Sequence, residues 1–208
     1  MKSLVWFRND LRMDDNPALR NACINSDEVH CIYIFSKEQL SINNEANCKI
    51  DFIIRNLKSL SDSLKKSNIP LTVIHSDGFS DNANKILNVI NERLISKVYW
   101  NNMFGVDENK RDQEVQNILN KNNIDYENFD DQVVYSPGTI KTKEDKPYSV
   151  FTPFKRRWIE NFDMNFLDIA KPSKLKKSYP IQGDLSNLKF AKTHSANIDL
   201  WPAGESAA

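Results

Sequence analysis

Glycine is scarce in this chain. Only five glycines occur among the 208 residues, and none of them stands in a G-x-G-x-x-G pattern or in a P-loop pattern. Both patterns bring backbone N–H groups close to the phosphates of a nucleotide. Their absence argues against an ordinary NAD-dependent dehydrogenase and against a P-loop NTPase.

Cysteine and histidine are equally few, with three residues of each kind. Cys23, Cys31 and Cys48 are odd in number and show no metal-binding spacing, which fits small buried side chains in a reducing compartment. His30 and His75 fall in predicted strands, and we interpret both as structural. No metal site and no Ser-His-Asp arrangement is predicted.

A net charge of one sign and long apolar runs are also missing. Twenty-eight basic residues balance 28 acidic ones, which argues against a generally basic nucleic-acid-binding protein but leaves a local cluster, Lys155-Arg156-Arg157. No apolar run approaches the roughly 18 residues of a membrane span. The first three residues lead straight into a strand and not into a signal peptide. We therefore expect a cytoplasmic protein without membrane contact.

The sequence does contain a regular alternation of short apolar runs and amphipathic segments. The apolar runs predict strands at residues 5–7, 29–35, 69–75, 98–100 and 124–129. Nearly unbroken apolar strands are typical of parallel sheets that are covered on both faces. We predict an α/β fold: a doubly wound, Rossmann-like, mostly parallel five-stranded sheet with helices on both faces.

Capping residues predict where the helices begin. Asp14 or Asp15 is predicted to cap the first helix, which has Pro17 in its first turn. Ser80 or Asp81 is predicted to cap a later helix.

Two further stretches have no such start signal. The polar stretch 36–47 is predicted to be a loop, and the last helix is predicted over 155–166. From about residue 170 the periodicity fails, and the sequence becomes rich in Lys, Ser, Pro and Asn. This composition predicts an extended C-terminal linker.

Polar side chains follow the predicted strands at the edge where open α/β sheets bind ligands, beyond the carboxyl ends of the strands. Arg8 and Asp10 follow the first strand, residues 43–44 follow the second, and residues 101–108 follow the fourth. Amides, carboxylates and aromatic rings together suit a flat heteroaromatic ligand. Two alternatives remain: the charges after the first strand form weak surface ion pairs, and the acidic pair after the fourth serves only a helix dipole.

Several motifs stand in a specific order along the chain: VWFRNDLR at 5–12, DNPAL at 15–19, YWN at 99–101, Asp107-Glu108, and YSVFTPF at 148–154 with Trp158. Together they resemble the DNA photolyase and cryptochrome family, most of all its bacterial class I deoxyribodipyrimidine photolyases. The resemblance extends to about residue 165. The tail, 201–208, resembles the entry into the second domain of the family.

This resemblance implies how the complete protein works. In the family, an N-terminal α/β domain holds an antenna chromophore, which is 5,10-methenyltetrahydrofolate in many bacterial members and a deazaflavin or a flavin in others. A larger helical C-terminal domain holds FAD, binds UV-damaged DNA and splits cyclobutane pyrimidine dimers in the light. The resemblance implies a photolyase of this kind. A cryptochrome-type blue-light photoreceptor and a stand-alone α/β nucleotide-binding module are the alternatives.

The resemblance also implies which residues hold the antenna. Glu108 and its neighbour Asp107 match folate-contacting positions of the family, and Glu108 would hydrogen-bond the amino-pyrimidine edge of the folate. Asn43 and Asn44 would line the same cleft. Gly105 stands where several relatives carry a glutamate.

The positions implied at a domain interface are Arg8, Asp10, Phe151 and Phe154. We expect residues 1–168 to form the antenna domain, 169–200 to form the interdomain linker, and 201–208 to begin a missing helical domain that binds FAD. No catalytic residue is expected among these positions, so the chain alone should be inactive. The complete protein is expected to be a monomer that contacts DNA through the missing domain.

Overall fold

The structure is a computed structural model, and it describes residues 1–42, 44–163, 171–180, 182–190 and 200–207. Strands and helices alternate along this part of the chain. The strands are β1 (Lys2–Phe7), β2 (Glu28–Ser36), β3 (Leu71–Ser76), β4 (Lys97–Asn101) and β5 (Asp125–Phe129). The helices are α1 (Pro17–Asn25), α2 (Lys37–Ile42), α3 (Asn47–Lys66), α4 (Phe79–Arg93), α5 (Val106–Lys121) and α6 (Phe151–Glu160).

The strands form one parallel sheet in the order β3-β2-β1-β4-β5. Leu4 of β1 lies opposite His30 of β2 on one side and opposite Val98 of β4 on the other. The chain winds outward from β1 to β3, then crosses back to β4 and continues in the other direction. The predicted doubly wound parallel sheet is confirmed, and its topological switch point lies between β1 and β4.

Alternate residues of β1 supply the cores on the two faces of the sheet. Val5 and Phe7 belong to the core that includes Leu57 of α3. Leu4 and Trp6 belong to a second core, under α4 and α5. Successive side chains of a strand point to opposite faces. A strand that is apolar at every position therefore fits a sheet with helices on both sides.

The predicted cap of the first helix is wrong. Asn16 caps α1, and its Oδ1 accepts a hydrogen bond from the backbone N–H of Leu19 at 3.1 Å. Asp15 instead adopts a positive φ of 51° in the preceding turn. A capping side chain must reach an N–H of the first helical turn. Only the residue directly before Pro17 stands close enough, which excludes Asp14 as well.

Two other predicted boundaries are also wrong. α4 begins after Gly78 without a side-chain cap, so Ser80 and Asp81 lie within its first turn. The predicted loop 36–47 contains the short helix α2. Within α2, Leu40 packs against the core while Ile42 stays exposed. A helix of six residues is too short to produce a periodicity that a sequence pattern can reveal.

The last helix begins earlier than predicted. α6 starts at Phe151 and not at residue 155, and it ends at Glu160. Pro153 in its first turn agrees with this start, because proline lacks the N–H that the first turn leaves unpaired. The end of the predicted helix, residues 164–166, lies outside the described residues.

The chain after the sheet returns to the free edge of β3. The backbone N–H of Val73 donates to the carbonyl of Asp184 at 2.8 Å, and the Asn187 side chain donates to the carbonyl of Val73 at 2.8 Å. Leu175 and Leu188 are buried in the core on that side. The described part of the predicted linker thus covers an edge that would otherwise present unpaired backbone groups. The boundaries of the domain, linker and tail stay predictions.

None of the helices in the described part of the chain combines the length and the apolar content needed to cross a membrane.

Candidate functional site

A cleft of about 140 Å³ opens beyond the carboxyl ends of β1 and β2. It lies beside the switch point, where open α/β sheets bind their ligands. The side chains that matter for its chemistry are Trp6, Arg8, Phe35, Phe79, Glu108 and Arg111. They combine aromatic surface, two guanidinium groups and one carboxylate.

Beneath the cleft, two buried arginines share one buried aspartate. Nη1 of Arg8 lies 3.0 Å from both carboxylate oxygens of Asp112. Nε and Nη2 of Arg111 donate to Oδ1 of the same carboxylate at 2.9 and 2.8 Å. Burial lowers the pKa of Arg8 to about 10, and the attraction of Asp112 opposes that shift. Arg8 therefore stays protonated at neutral pH.

The same two arginines fix an aromatic wall of the cleft. The guanidinium carbons of Arg8 and Arg111 lie 4.7 and 4.8 Å from the ring centre of Trp6. Arg111 also lies 4.8 Å from the ring centre of Phe79. Cation–π contacts of this kind are stronger where the groups are desolvated. Trp6 is 1% exposed, so the half-buried Phe79 supplies the accessible aromatic surface next to this positive charge.

A second buried network holds the loop that follows β1. Oδ1 of Asp10 accepts a hydrogen bond from the backbone N–H of Arg8 at 2.8 Å, and Oδ2 accepts one from Nδ2 of Asn101 at 2.6 Å. Asn101 also donates to Oδ1 of Asn16 at 2.9 Å and accepts from the backbone N–H of Ala18 at 3.1 Å. The network ties the β1–α1 loop to the end of β4 across the switch point.

Arg8 and Asp10 therefore have their described partners inside the α/β unit. Their predicted place at a domain interface stays a prediction. Sequence reasoning placed Asn101 at the ligand-binding edge without its partners, and it missed Asp112 as a site residue. Asp112 had a usable signal, because it stands three residues before Val115 and so shares the buried face of α5. The partners of Asn101 had none.

The residues predicted to hold a ligand are only partly brought together. Glu108 lines the cleft, whereas Asp107 lines an adjoining depression of about 270 Å³ and is 77% exposed. Asn44 follows α2 with a φ of 48°. From this part of the chain, Glu45 and Lys49 line the cleft. Asn43 lies outside the described residues.

Gly105 makes room for Glu108. It directly precedes α5, and a Cβ built at this position would overlap the carboxylate of Glu108. Its φ of −66° and ψ of 152° are open to any residue. Space, and not backbone conformation, therefore favours glycine at this position. The missing side chain lets the Glu108 carboxylate lie against the start of the helix.

α6 stands apart from both cores and has no buried residue. Phe151 is 72% exposed, and Phe154 is half-buried against Tyr148 at a ring distance of 6.1 Å. Val150 and Ile159 are also exposed. The interface role of Phe151 and Phe154 stays a prediction.

Comparison with known proteins gives three concordant results. The family model described as DNA photolyase matches residues 3–175. The chain is 32% identical over 206 residues to the "Deoxyribodipyrimidine photo-lyase" of Escherichia coli K12, with 99% of this chain and 43% of that protein covered. It is 35% identical over 169 residues to the protein of the same name from Vibrio cholerae, with 81% and 36% covered.

The fold gives the same result. A class III photolyase from Agrobacterium tumefaciens superimposes with a TM-score of 0.74 at 28% identity, covering 90% of this chain and 38% of that one. The chain thus spans less than half the length of the relatives that it matches.

Proposed function

The chain belongs to the DNA photolyase family, and on this premise we propose that it forms the antenna-binding part of a deoxyribodipyrimidine photolyase. The observation that carries the proposal is the cleft at the switch point of the sheet. The half-buried ring of Phe79 suits a planar chromophore, and Glu108 supplies an acceptor in the same cleft.

The size of the cleft supports partial insertion of a larger molecule. Sites for ligands of drug size usually enclose about 300–1,000 Å³. The cleft holds about 140 Å³, and the depression at Asp107 adds about 270 Å³ next to it. Phe79 and Arg111 line both spaces. One fused ring system would occupy the cleft, and the rest of the chromophore would extend over the depression.

Among the antenna chromophores, 5,10-methenyltetrahydrofolate fits the carboxylate best. Its amino-pyrimidine edge presents N–H donors, and the Glu108 carboxylate is an acceptor. Charge-assisted hydrogen bonds of this type are stronger than neutral ones. A deazaflavin or a flavin remains the competing occupant, and the binding experiment below separates them.

We propose that the complete protein has the activity of the family. FAD would bind outside residues 1–208, and it would supply the light-driven electron that splits a cyclobutane pyrimidine dimer in UV-damaged DNA. A cryptochrome-type photoreceptor is the alternative. Repair of dimer-containing DNA by the complete protein under blue light supports the first, and light response without repair supports the second.

Replacing Glu108 by alanine tests the proposed site. We expect the dissociation constant for 5,10-methenyltetrahydrofolate to rise about 10- to 100-fold, since a hydrogen bond to a charged group contributes about 1.5–3 kcal/mol. The measurement is an absorbance titration of the folded chain. Glu92→Ala, at an exposed position of α4, is the matched control and should bind as the unchanged chain does.

Two further titrations complete this test. Gly105→Ala keeps the carboxylate but displaces it, so it should weaken folate binding without unfolding the chain. Saturable binding of a flavin or deazaflavin, with no binding of the folate, would mean that the cleft holds that chromophore and not the folate. No binding of any of these chromophores by the well-folded chain would contradict the proposal.

A further inference from the structure

Three segments that lie far apart in the sequence meet at the loop before α1. The carboxylate of Glu205 accepts hydrogen bonds from the backbone N–H groups of Met13 at 2.9 Å and Asp14 at 2.6 Å. The ammonium group of Lys171 lies 2.8 Å from the Asp14 carboxylate. The side chain of Asp14 does not cap α1. It makes its ion pair with Lys171 at this junction instead.

The tail is also held on α3. Nη1 of Arg55 donates to the carbonyl of Trp201 at 2.7 Å, and the backbone N–H of Gly204 donates to Oδ1 of Asn56 at 2.9 Å. Gly204 has a φ of 104°, and a Cβ there would lie 2.5 Å from Oγ of Ser59. Glycine is required at this position for both reasons. The tail therefore has a defined path over α3 and the β1–α1 loop.

Glu205 is the member of this junction with the most specific geometry. One carboxylate accepts from two consecutive backbone N–H groups, and such charge-assisted bonds are roughly twice as strong as neutral ones. The β1–α1 loop is rigid on its other side, since Asp10 and Asn101 tie it to β4. A contact to this loop therefore fixes the tail relative to the sheet and the cleft.

We propose that Glu205 is the positioning residue that fixes the direction in which the chain leaves the α/β unit. With the carboxylate in place, whatever follows residue 207 starts from one orientation over the β1–α1 loop. Without it, only the described contacts of Trp201 and Gly204 with α3 hold the tail, and so small a contact permits relative motion. We call this contact of Glu205 with the β1–α1 loop the joint. Its value for light harvesting rests on the proposed function, whereas the contact itself does not.

Distance measurements between two spin labels test the joint directly. Cys48 is exposed while Cys23 and Cys31 are buried, so one label attaches at Cys48 and a second at Ala207→Cys. We expect a narrow distance distribution in this double-labelled chain. Glu205→Ala should broaden it at least twofold, and Glu205→Gln should give an intermediate width because its amide oxygen keeps one acceptor.

Glu144→Ala is the matched control, since it removes an exposed carboxylate far along the chain from the junction. A distribution that stays equally narrow in Glu205→Ala and Glu144→Ala would overturn the proposal. So would a broad distribution in the chain with Glu205 intact.

Amide hydrogen exchange provides the second readout. In Glu205→Ala, exchange at Met13 and Asp14 should become at least tenfold faster, whereas exchange in β1 should not change. Equal rates at these two amides in both proteins would contradict the assignment. Both experiments are made without a chromophore, so a failure of folate binding leaves their outcome unaffected.

Discussion

Replacing Asp112 by asparagine is expected to destabilise the fold by about 3–5 kcal/mol, because it leaves buried cations without their anion. Arg8 and Arg111 are each 5% exposed, and both donate to this one carboxylate. The pKa of Arg8, about 10, means that its charge is not relieved by deprotonation at neutral pH. Urea unfolding followed by circular dichroism measures the loss.

The control for this prediction is an exposed aspartate on a helix. Asp62→Asn on α3 removes the same charge at the surface and should change stability by less than about 0.5 kcal/mol. If Asp112→Asn were no more destabilising than Asp62→Asn, the two arginines would not depend on the carboxylate. The Asp112 carboxylate would then not be what holds Arg8 and Arg111 in place beneath the cleft.

The second large effect is a loss of stability in acid that originates at His30. This side chain is 1% exposed in β2, and its ring lies 5.1 Å from the ring of Tyr179. Burial, and to a smaller degree the nearby charge of Arg93, lowers its pKa from 6.5 to about 4. The folded state therefore keeps His30 neutral at a pH where the unfolded chain already binds a proton.

The sign of the effect follows from this difference. The stabilisation is complete above the unfolded pKa, near 6.5, and is lost as the pH falls towards 4. Each pKa unit corresponds to about 1.4 kcal/mol, so the total loss from this group is about 3 kcal/mol. His30→Leu removes the titrating group. Between pH 6.5 and pH 4, the free energy of unfolding of this variant should therefore fall by about 3 kcal/mol less than that of the unchanged chain. An unchanged pH dependence in His30→Leu would contradict the prediction.

The sheet was predictable because its signal is local. Residues 29–35 are apolar on both sides of the strand, and only a sheet covered on both faces can bury them. The same reasoning placed Arg8 and Glu108 beyond the ends of β1 and β4, and both residues line the cleft. The motif order then indicated the family, which the comparisons confirmed.

The parts that were missed depend on contacts between distant residues. Asn101 and Asp10 are 91 positions apart, and their hydrogen bond leaves no period in the sequence. The role of Asp14 likewise requires Lys171, which lies in a stretch whose composition predicts only a linker. Capping by Asn16 was hidden because two aspartates just before it look equally suitable.

The central claim is that the cleft at the switch point is the antenna site. Two-dimensional NMR spectra of the chain during a titration with 5,10-methenyltetrahydrofolate test it most directly. We expect the largest shifts at the indole N–H of Trp6 and at the amides of Phe79 and Glu108, with the signals of Trp158 in α6 unchanged. Shifts centred on Trp158, or binding that leaves the Trp6 signal in place, would contradict it.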